Sequence, residues 1–365
     1  MIKKIIKILL ITFLILAFGI FYLSIFGIKT NKFNNQITNN ILKINKRVNL
    51  SLSDVNYLLN PFNFTINIST KNPQILLEGK NLKIKSIQTN ISLMSLINDQ
   101  FLIDNLKIRS KEIKLTDMIL LVRIFKNSPQ LVVLGTIIED GFVTGNINLN
   151  FDERGNIKEN FKIEGSIKNT KLNILNQLKL QNLSFNFYID KDNYSLKKLD
   201  TRLNKIKITA PIIEIKQKKN SFFINGQILN DNKKFDIKEL KLIFGDLFKN
   251  INAQEIEFSS KNDFSFNVDK KLKFNQFKVQ SIIDLNELVL KKKYLKLQSY
   301  LPSEIQEIKF QKHKVIFNYE KDKFDIKGVG NILLGNEIDS MSYQIIKDKN
   351  NFLFDSKIKL KNSSL

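Results

Sequence analysis

The chain has 365 residues, 58 Lys+Arg against 35 Asp+Glu for a formal charge of +23, one His, no Cys and no Trp. Without thiols there is no disulfide framework, no cysteine-ligated zinc and no cysteine nucleophile, and a lone imidazole leaves no second ligand for a histidine-rich metal site. Thirteen glycines, about half the roughly 7% usage of average proteins, leave little material for phosphate-cradling loops and disfavour nucleotide chemistry.

Residues 8–28 (ILLITFLILAFGIFYLSIFGI) hold 21 positions without a charge. A helix of that length spans about 31 Å at 1.5 Å per residue, matching a bilayer core. Lys3, Lys4 and Lys7 precede it and favour a cytoplasmic N-terminus, an asymmetry weakened by Lys29 and Lys32 on the far side. A cleavable signal peptide would be shorter in its apolar part, and Ala17-Phe18-Gly19 is a poor cleavage site because the apolar run continues beyond it. The sequence predicts an uncleaved anchor over 1–30, a juxtamembrane segment over 31–50, helical within 36–47, and a β-rich extracytoplasmic region over 51–365. The next most apolar stretch, around Met118 to Val122, is interrupted by Arg123.

From Phe64 onward the dominant pattern is period-two alternation. Phe64, Ile66 and Ile68 alternate with Thr65 and Asn67; Ile147, Leu149 and Phe151 with Asn148 and Asn150; Phe185, Phe187 and Ile189 with Asn186 and Tyr188; Phe264, Phe266 and Val268 with Ser265 and Asn267. Such strands have one apolar and one wet face and belong in an antiparallel sheet covered on one side. Residues 152–155 (DERG), 190–193 (DKDN) and 230–233 (NDNK) read as turns between them. Helical interruptions are expected at 92–99, at 117–127 and, before Pro302, at 285–301.

About 320 residues at roughly 13 per strand and turn would make some 25 strands, a sheet about 120 Å long at ~4.8 Å spacing. Prolines are too sparse to mark linkers. The expected fold is therefore mostly β: an N-terminal transmembrane helix, then an elongated, curled antiparallel sheet, groove-like or taco-like, with a few short helices.

Three segments resemble the AsmA-like envelope proteins, including the YhdP and TamB group. Residues 91–115 (ISLMSLINDQFLIDNLKIRSKEIKL) are similar to that family's strand, helical turn and following strands. Residues 135–172, with EDGFVTGNINLNFDERGNIKENFKIEGSIKNTKL, place Gly141, Gly145, Phe151, Gly155 and Gly165 as in its strand-turn-strand units. Residues 300–317 (YLPSEIQEIKFQKHKVIF) look like a Tyr-x-Pro helix and strand of the YhdP-like branch. The resemblance implies an inner-membrane, single-pass protein whose periplasmic β-groove helps glycerophospholipids pass between inner and outer membranes. Family members are often far longer, and the chain stops soon after a strand without a terminal helix, which implies a short or truncated member.

A lipid groove needs apolar side chains on its inner face, and the alternating sets name them: Ile147, Leu149, Phe151, Phe185, Phe187, Ile189, Phe264, Phe266 and Val268. The same residues fit an ordinary β-sandwich core. The partners implied are membrane and phospholipids, with an outer-membrane or periplasmic protein as a further one; no cofactor, metal or catalytic residue is expected. The alternative is an anchored scaffold that offers sheet edges to outer-membrane proteins.

Other chemistry is weakly signalled. Only Arg47, Arg109, Arg123, Arg154 and Arg202 among the basic residues are arginine, the usual reader of bases and phosphate pairs, so nucleic acid is not expected. Lysine-rich, isoleucine-rich and asparagine-rich usage reads instead as charge on solvent-facing positions. Lys29, Lys32, Lys43, Lys46 and Arg47 stand where they could meet anionic headgroups. Ser195 and Lys198 have Ser-x-x-Lys spacing without the companion motifs of a penicillin-binding enzyme. Asp190, Asp192 and Asn193 lack the rest of a calcium loop. His313, between Lys312 and Lys314, reads as an exposed strand residue whose protonation its neighbours disfavour.

Overall fold

The computed structural model describes residues 2–360 apart from 33, 36–37, 40–47, 78–79, 95–102, 126–127, 153, 155, 175–177, 205, 245–252, 270, 272, 292–305, 335–336 and 349–350. Among these residues the protein is mostly β, with one antiparallel, open and curled system of 20 strands and four helices. Strands run longer than the sequence estimate, which is why there are fewer of them. The chain divides into two compact units: Met1–Gly135, Phe142–Ser166 and Tyr188–Lys191 form one, and Thr136–Gly141, Ile167–Phe187 and Asp192–Leu365 the other. No linker separates them in sequence; the division falls within the strands from 138 to 192.

The first unit begins with α1 (Ile2–Ile25), of which Ile6–Ile25 is long and apolar enough to cross a membrane. Two of its hydroxyls bond within the helix, Thr12 Oγ1 donating to Ile8 O (2.9 Å) and Ser24 Oγ to Ile20 O (2.7 Å), as a hydroxyl away from water requires. Gly27 ends the helix in the left-handed region (φ 63°), the position where a Cβ is least tolerated. A Cβ there would also lie 2.5 Å from Tyr57 O. The chain passes from this buried residue straight into β1 (Ile28–Thr30), leaving no linker between helix and sheet.

β1 pairs with β3 (Val55–Asn60), β3 with β4 (Thr65–Lys71), β4 with β6 (Lys80–Ser92), β6 with β7 (Ile103–Ser110) and β7 with β9 (Ile138–Asn150), all antiparallel. β2 (Val48–Ser51) and β5 (Gln74–Leu77) pair with each other, and β5 adds to the start of β6; β8 (Ile113–Lys114) adds to the start of β9. The register aligns Val55, Thr70, Ile87, Ile108 and Ile147 in one cross-strand row and Tyr57, Ile68, Thr89, Leu106 and Leu149 in the next. The opposite face carries an asparagine row, Asn67, Asn90, Asn105 and Asn150. Two helices follow β8. In α2 (Leu115–Phe125) Leu115 and Ile119 are buried, and α3 (Pro129–Ile137) brings Gly135 against Ile119.

In the second unit the chain meanders. β10 (Lys162–Ile174) and β11 (Leu178–Ile189) are linked by Asn169 N–H donating to Ser184 Oγ (3.0 Å), and β11 meets β12 (Asn193–Leu203) through Thr201 Oγ1 donating to Gln181 O (3.1 Å). β13 (Ile206–Gln217), β14 (Ser221–Asp236), β15 (Ala253–Asp269), β16 (Phe274–Lys291), β17 (Glu307–Glu320), β18 (Lys323–Leu334), β19 (Glu337–Asp348) and β20 (Asn351–Lys359) then pair each with the next. Bulges interrupt most of these ladders. Register shifts fall between Thr209 and Ile213, around Pro211, between Asn230 and Lys233, and between Gln311 and Lys314, while Asn169, Asn182, Lys198 and Lys312 adopt positive φ inside strands. Bulges bend a strand and increase its twist, and here they curl the sheet.

These bulges correct three sequence expectations. Residues 285–291 are strand, because the Leu285/Leu288 spacing that reads as a helical turn spans the bulge where β16 shifts register against β15, Phe258 facing Leu285 and Glu257 facing Glu287; the rest of 285–301 lies outside the described residues. Asn230 to Lys233 is a bulge within β14 and no turn. His313 is 1% exposed, because the left-handed Lys312 beside it rotates the strand and brings the imidazole onto the apolar face. The turn at 190–193 is as expected, and the helix expected at 117–127 appears as α2. At 152–155 Asp152 Oδ1 accepts from Arg154 N and Asn156 N (2.9 and 2.8 Å), with Glu153 and Gly155 outside the described residues. The helices expected at 36–47 and 92–99 lie mostly outside them, with 38–39 and 93–94 described and helical.

Candidate functional site

The apolar face of the second unit is built from rows that the register makes continuous. Ile213, Gly226, Phe264, Val279, Tyr319 and Phe324 form one; Asn262, Ser281, Phe317, Ile326, Ile345 and Phe354 form the next. Rings meet along and between rows. Centroid separations are 5.9 Å for Phe264–Phe266, 5.5 Å for Phe266–Phe274, 6.0 Å for Phe266–Phe277 and 5.8 Å for Phe277–Tyr319, within the range of favourable aromatic pairs.

The two ends of this face differ. At one end α4 (Ile237–Phe244) lies over the strands, and its Ile237 and Leu240 are buried with Ile206 and Phe235 against Phe258 and Ile256. Ile308, Ile332 and Leu334 are buried at the same end with Phe310 and Met341 around them. At the hairpin end nothing among the described residues covers the rings: Phe222, Phe264, Phe266 and Phe324 are half-buried, and Phe274 is 70% exposed. A filled sandwich core would bury its phenylalanines throughout. This face is sealed at one end and accessible at the other.

Between the ends sits His313. Its Nε2 donates to Asn331 O at 2.8 Å, and its ring lies 5.7 Å from those of both Phe310 and Tyr343. Nδ1 has no hydrogen-bond partner among the described residues, so the neutral tautomer protonated on Nε2 is the one that fits. Burial lowers the imidazole pKa from 6.5, opposed in part by the Asn331 bond, and the same burial raises the Tyr343 phenol. His313 and Tyr343 stack over Gly330 and Gly328, where any Cβ would collide with the rings. The opposite face is polar and charged: Lys278–Glu320 (3.3 Å), Lys323–Asp348 (3.6 Å) and Gln227 Nε2 donating to Asp263 Oδ1 (2.7 Å) lie across neighbouring strands.

Of the residues picked from sequence, Phe264 and Phe266 lie in this face, and Val268 is buried at its hairpin end. Phe185, Phe187 and Ile189 are half-buried alternate positions of β11. Ile147 and Leu149 belong instead to the aliphatic rows of the first unit, and Phe151 forms an isolated bridge with Ile157. Sequence reasoning missed Phe222, Phe277, Phe317, Tyr319, Phe324 and Tyr343. Phe277, Tyr319, Phe324 and Tyr343 alternate with polar neighbours, whereas Phe222 and Phe317 adjoin Phe223 and Ile316, and only the register reveals which rows all six join.

Ser195 lies on β12 opposite Glu214, and Lys198 is a bulge residue of the same strand, so the two are not a helical turn apart. Among the described residues no three His, Asp or Glu side chains gather as a metal site requires. Comparison of the chain with protein-family models, with curated proteins and with solved structures gives no match in any of the three.

Proposed function

We propose that the chain is a non-enzymatic, inner-membrane-anchored protein whose apolar sheet face shelters the acyl chains of glycerophospholipids in the periplasm and assists their passage to or from the outer membrane. One observation carries the reading: apolar rows rich in aromatic rings that the register carries from β13 to β18 and from β15 to β20, with Phe274 and Phe277 exposed at the hairpin end. Each methylene withdrawn from water onto such a face gains ~0.8 kcal/mol, so acyl chains bind without a specific headgroup site. The face works passively and any motive force comes from elsewhere. The resemblance of residues 91–115, 135–172 and 300–317 to AsmA-like proteins supports the same reading.

The test is photo-crosslinking of lipid to the full chain with the reactive group at Val279, in the middle of the aromatic row. Phe264→Asp/Phe266→Asp should abolish the crosslink while circular dichroism stays that of a β protein. A crosslink that survives the acidic pair, or a folded wild-type chain that captures no lipid, overturns the reading. Loss of the β spectrum in the acidic pair identifies the face as a closed core.

A second reading, an anchored scaffold for outer-membrane proteins, is favoured by β20. Every residue of this last strand is exposed, including Phe352, Leu353, Phe354 and Ile358, and such an edge is a template for strand addition.

A further inference from the structure

The first unit has a second cluster of exposed apolar side chains, and the strand directions place it. β1 is entered from Gly27, so α1 joins the sheet at the end where β1 starts. Ile28 is level with Tyr57, and β3 runs antiparallel to β1, so Leu58, Leu59 and Asn60 continue toward the helix for about 10 Å past that level. Leu23 and Ser24, in the last turn of α1, are the half-buried positions of an otherwise exposed helix, and Leu58 Cδ1 would be 3.2 Å from a Cβ on Gly27. The β3–β4 hairpin therefore turns alongside the last turns of α1.

That turn has an unusual composition. Asn60-Pro61-Phe62-Asn63-Phe64 has the asparagine and proline that a tight turn favours, and Asn60 Oδ1 accepts from Asn63 N (3.2 Å). Its tip nevertheless presents Phe62, 93% exposed, and Phe64, 65% exposed. The end of β6 is fastened beside them through Leu93 N–H donating to Phe64 O (2.8 Å), which places Met94, also exposed, at the same end of the sheet. On α1 the matching level is marked by the exposed rings of Tyr22 and Phe26, 5.2 Å apart. Aromatic rings concentrate at membrane–water interfaces, and two phenylalanines at a turn tip have no reason to face water.

We propose that the tip of the β3–β4 hairpin, Phe62 and Phe64 with Met94 beside them, is seated in the headgroup and upper acyl region of the same bilayer that α1 crosses. The partner is the lipid surface itself. Leu59, Ile66 and Ile91, the apolar row nearest the tip, lie one step deeper in the sheet, with Ile91 buried, so the contact with lipid is confined to the tip. This docking rests on α1 spanning the membrane and is independent of whether lipid travels along the sheet.

The chain has no tryptophan, so a single introduced one reports alone. Phe62→Trp, at a position too exposed to affect folding, is compared with Lys71→Trp at the far end of β4, each in the full chain reconstituted into phosphatidylcholine–phosphatidylglycerol vesicles. The expected result is a blue-shifted Phe62→Trp emission that is lost when the lipid carries bromine high on its acyl chains, with Lys71→Trp unaffected. Equal, water-like emission from both variants in vesicle-bound chain overturns the docking. Failure of the chain to float with the vesicles overturns it together with the anchor. If Phe62→Trp is quenched and no lipid crosslinks at Val279, the docking stands and the lipid-passage reading falls.

Discussion

The two units keep one sheet face dry by different means. The first lines its face with aliphatic rows, such as Val55, Ile87, Ile108 and Ile147, and balances them with a neutral asparagine row; Val55 and Ile91 are each 1% exposed. The second lines its face with phenylalanine and tyrosine, leaves Phe274 and Phe277 exposed, and balances them with lysines, aspartates and glutamates. β-Branched side chains are stiff and pack closely on a pleated surface, whereas rings reach further and make a wide apolar floor without filling it. The same alternation in sequence thus yields aliphatic rows with fully buried members in one region and, in the other, aromatic rows with exposed rings at the hairpin end.

The sharpest way to break that contrast is a matched pair of truncations. Ile91→Ala should cost about 2–5 kcal/mol, the usual range for a buried aliphatic. Phe266→Ala deletes a larger side chain but should cost less, because the ring is only half-buried. Urea unfolding in detergent measures both. A Phe266→Ala cost equal to or above that of Ile91→Ala means the aromatic face is a filled core.

A smaller effect comes from His313. Its folded pKa is lowered, so the unfolded chain binds the proton more readily, and the stability it contributes is present above pH 6.5 and declines as pH falls below that value toward the folded pKa. Thermal unfolding between pH 7.5 and 5 should show a decline in the native chain that is shallower in His313→Gln. Parallel curves would mean the imidazole is not desolvated. The smallest effect belongs to the charged face: Lys323→Gln, removing the exposed pair with Asp348, should change stability by less than about 1 kcal/mol, with the difference vanishing in high salt.

Much of this fold is legible in the alternation itself, since period two assigns strands and their faces without knowledge of partners. What fails is every place where a strand changes parity. Leu285 and Leu288 imitate a helical turn, Asn230 to Lys233 imitates a loop, and the lysines flanking His313 imitate a wet position, because a bulge inserts one residue and reverses the faces beyond it. α3 has no periodicity to read, being apolar all round. α4 did carry a signal, Asp236 with Glu239 three residues on, and in the structure Asp236 Oδ1 accepts from Lys238 N at 2.8 Å. The candidate face is half-legible for the same reason. Phe264 and Phe266 announce themselves as a pair, whereas Tyr319 and Phe324 join them only through hydrogen-bond register.

With α1 in a bilayer, the joint at Gly27 would couple the tilt of the helix to the sheet. A helix longer or shorter than the local hydrocarbon thickness adapts by tilting, at a cost of fractions of a kcal/mol per Å of mismatch. Here the joint is one buried residue pressed against Tyr57 O, with strand on its far side, so the angle α1 takes in a thick or thin membrane is passed directly to β1 and β3. Membrane thickness would thereby become a steering variable for the orientation of the first strands.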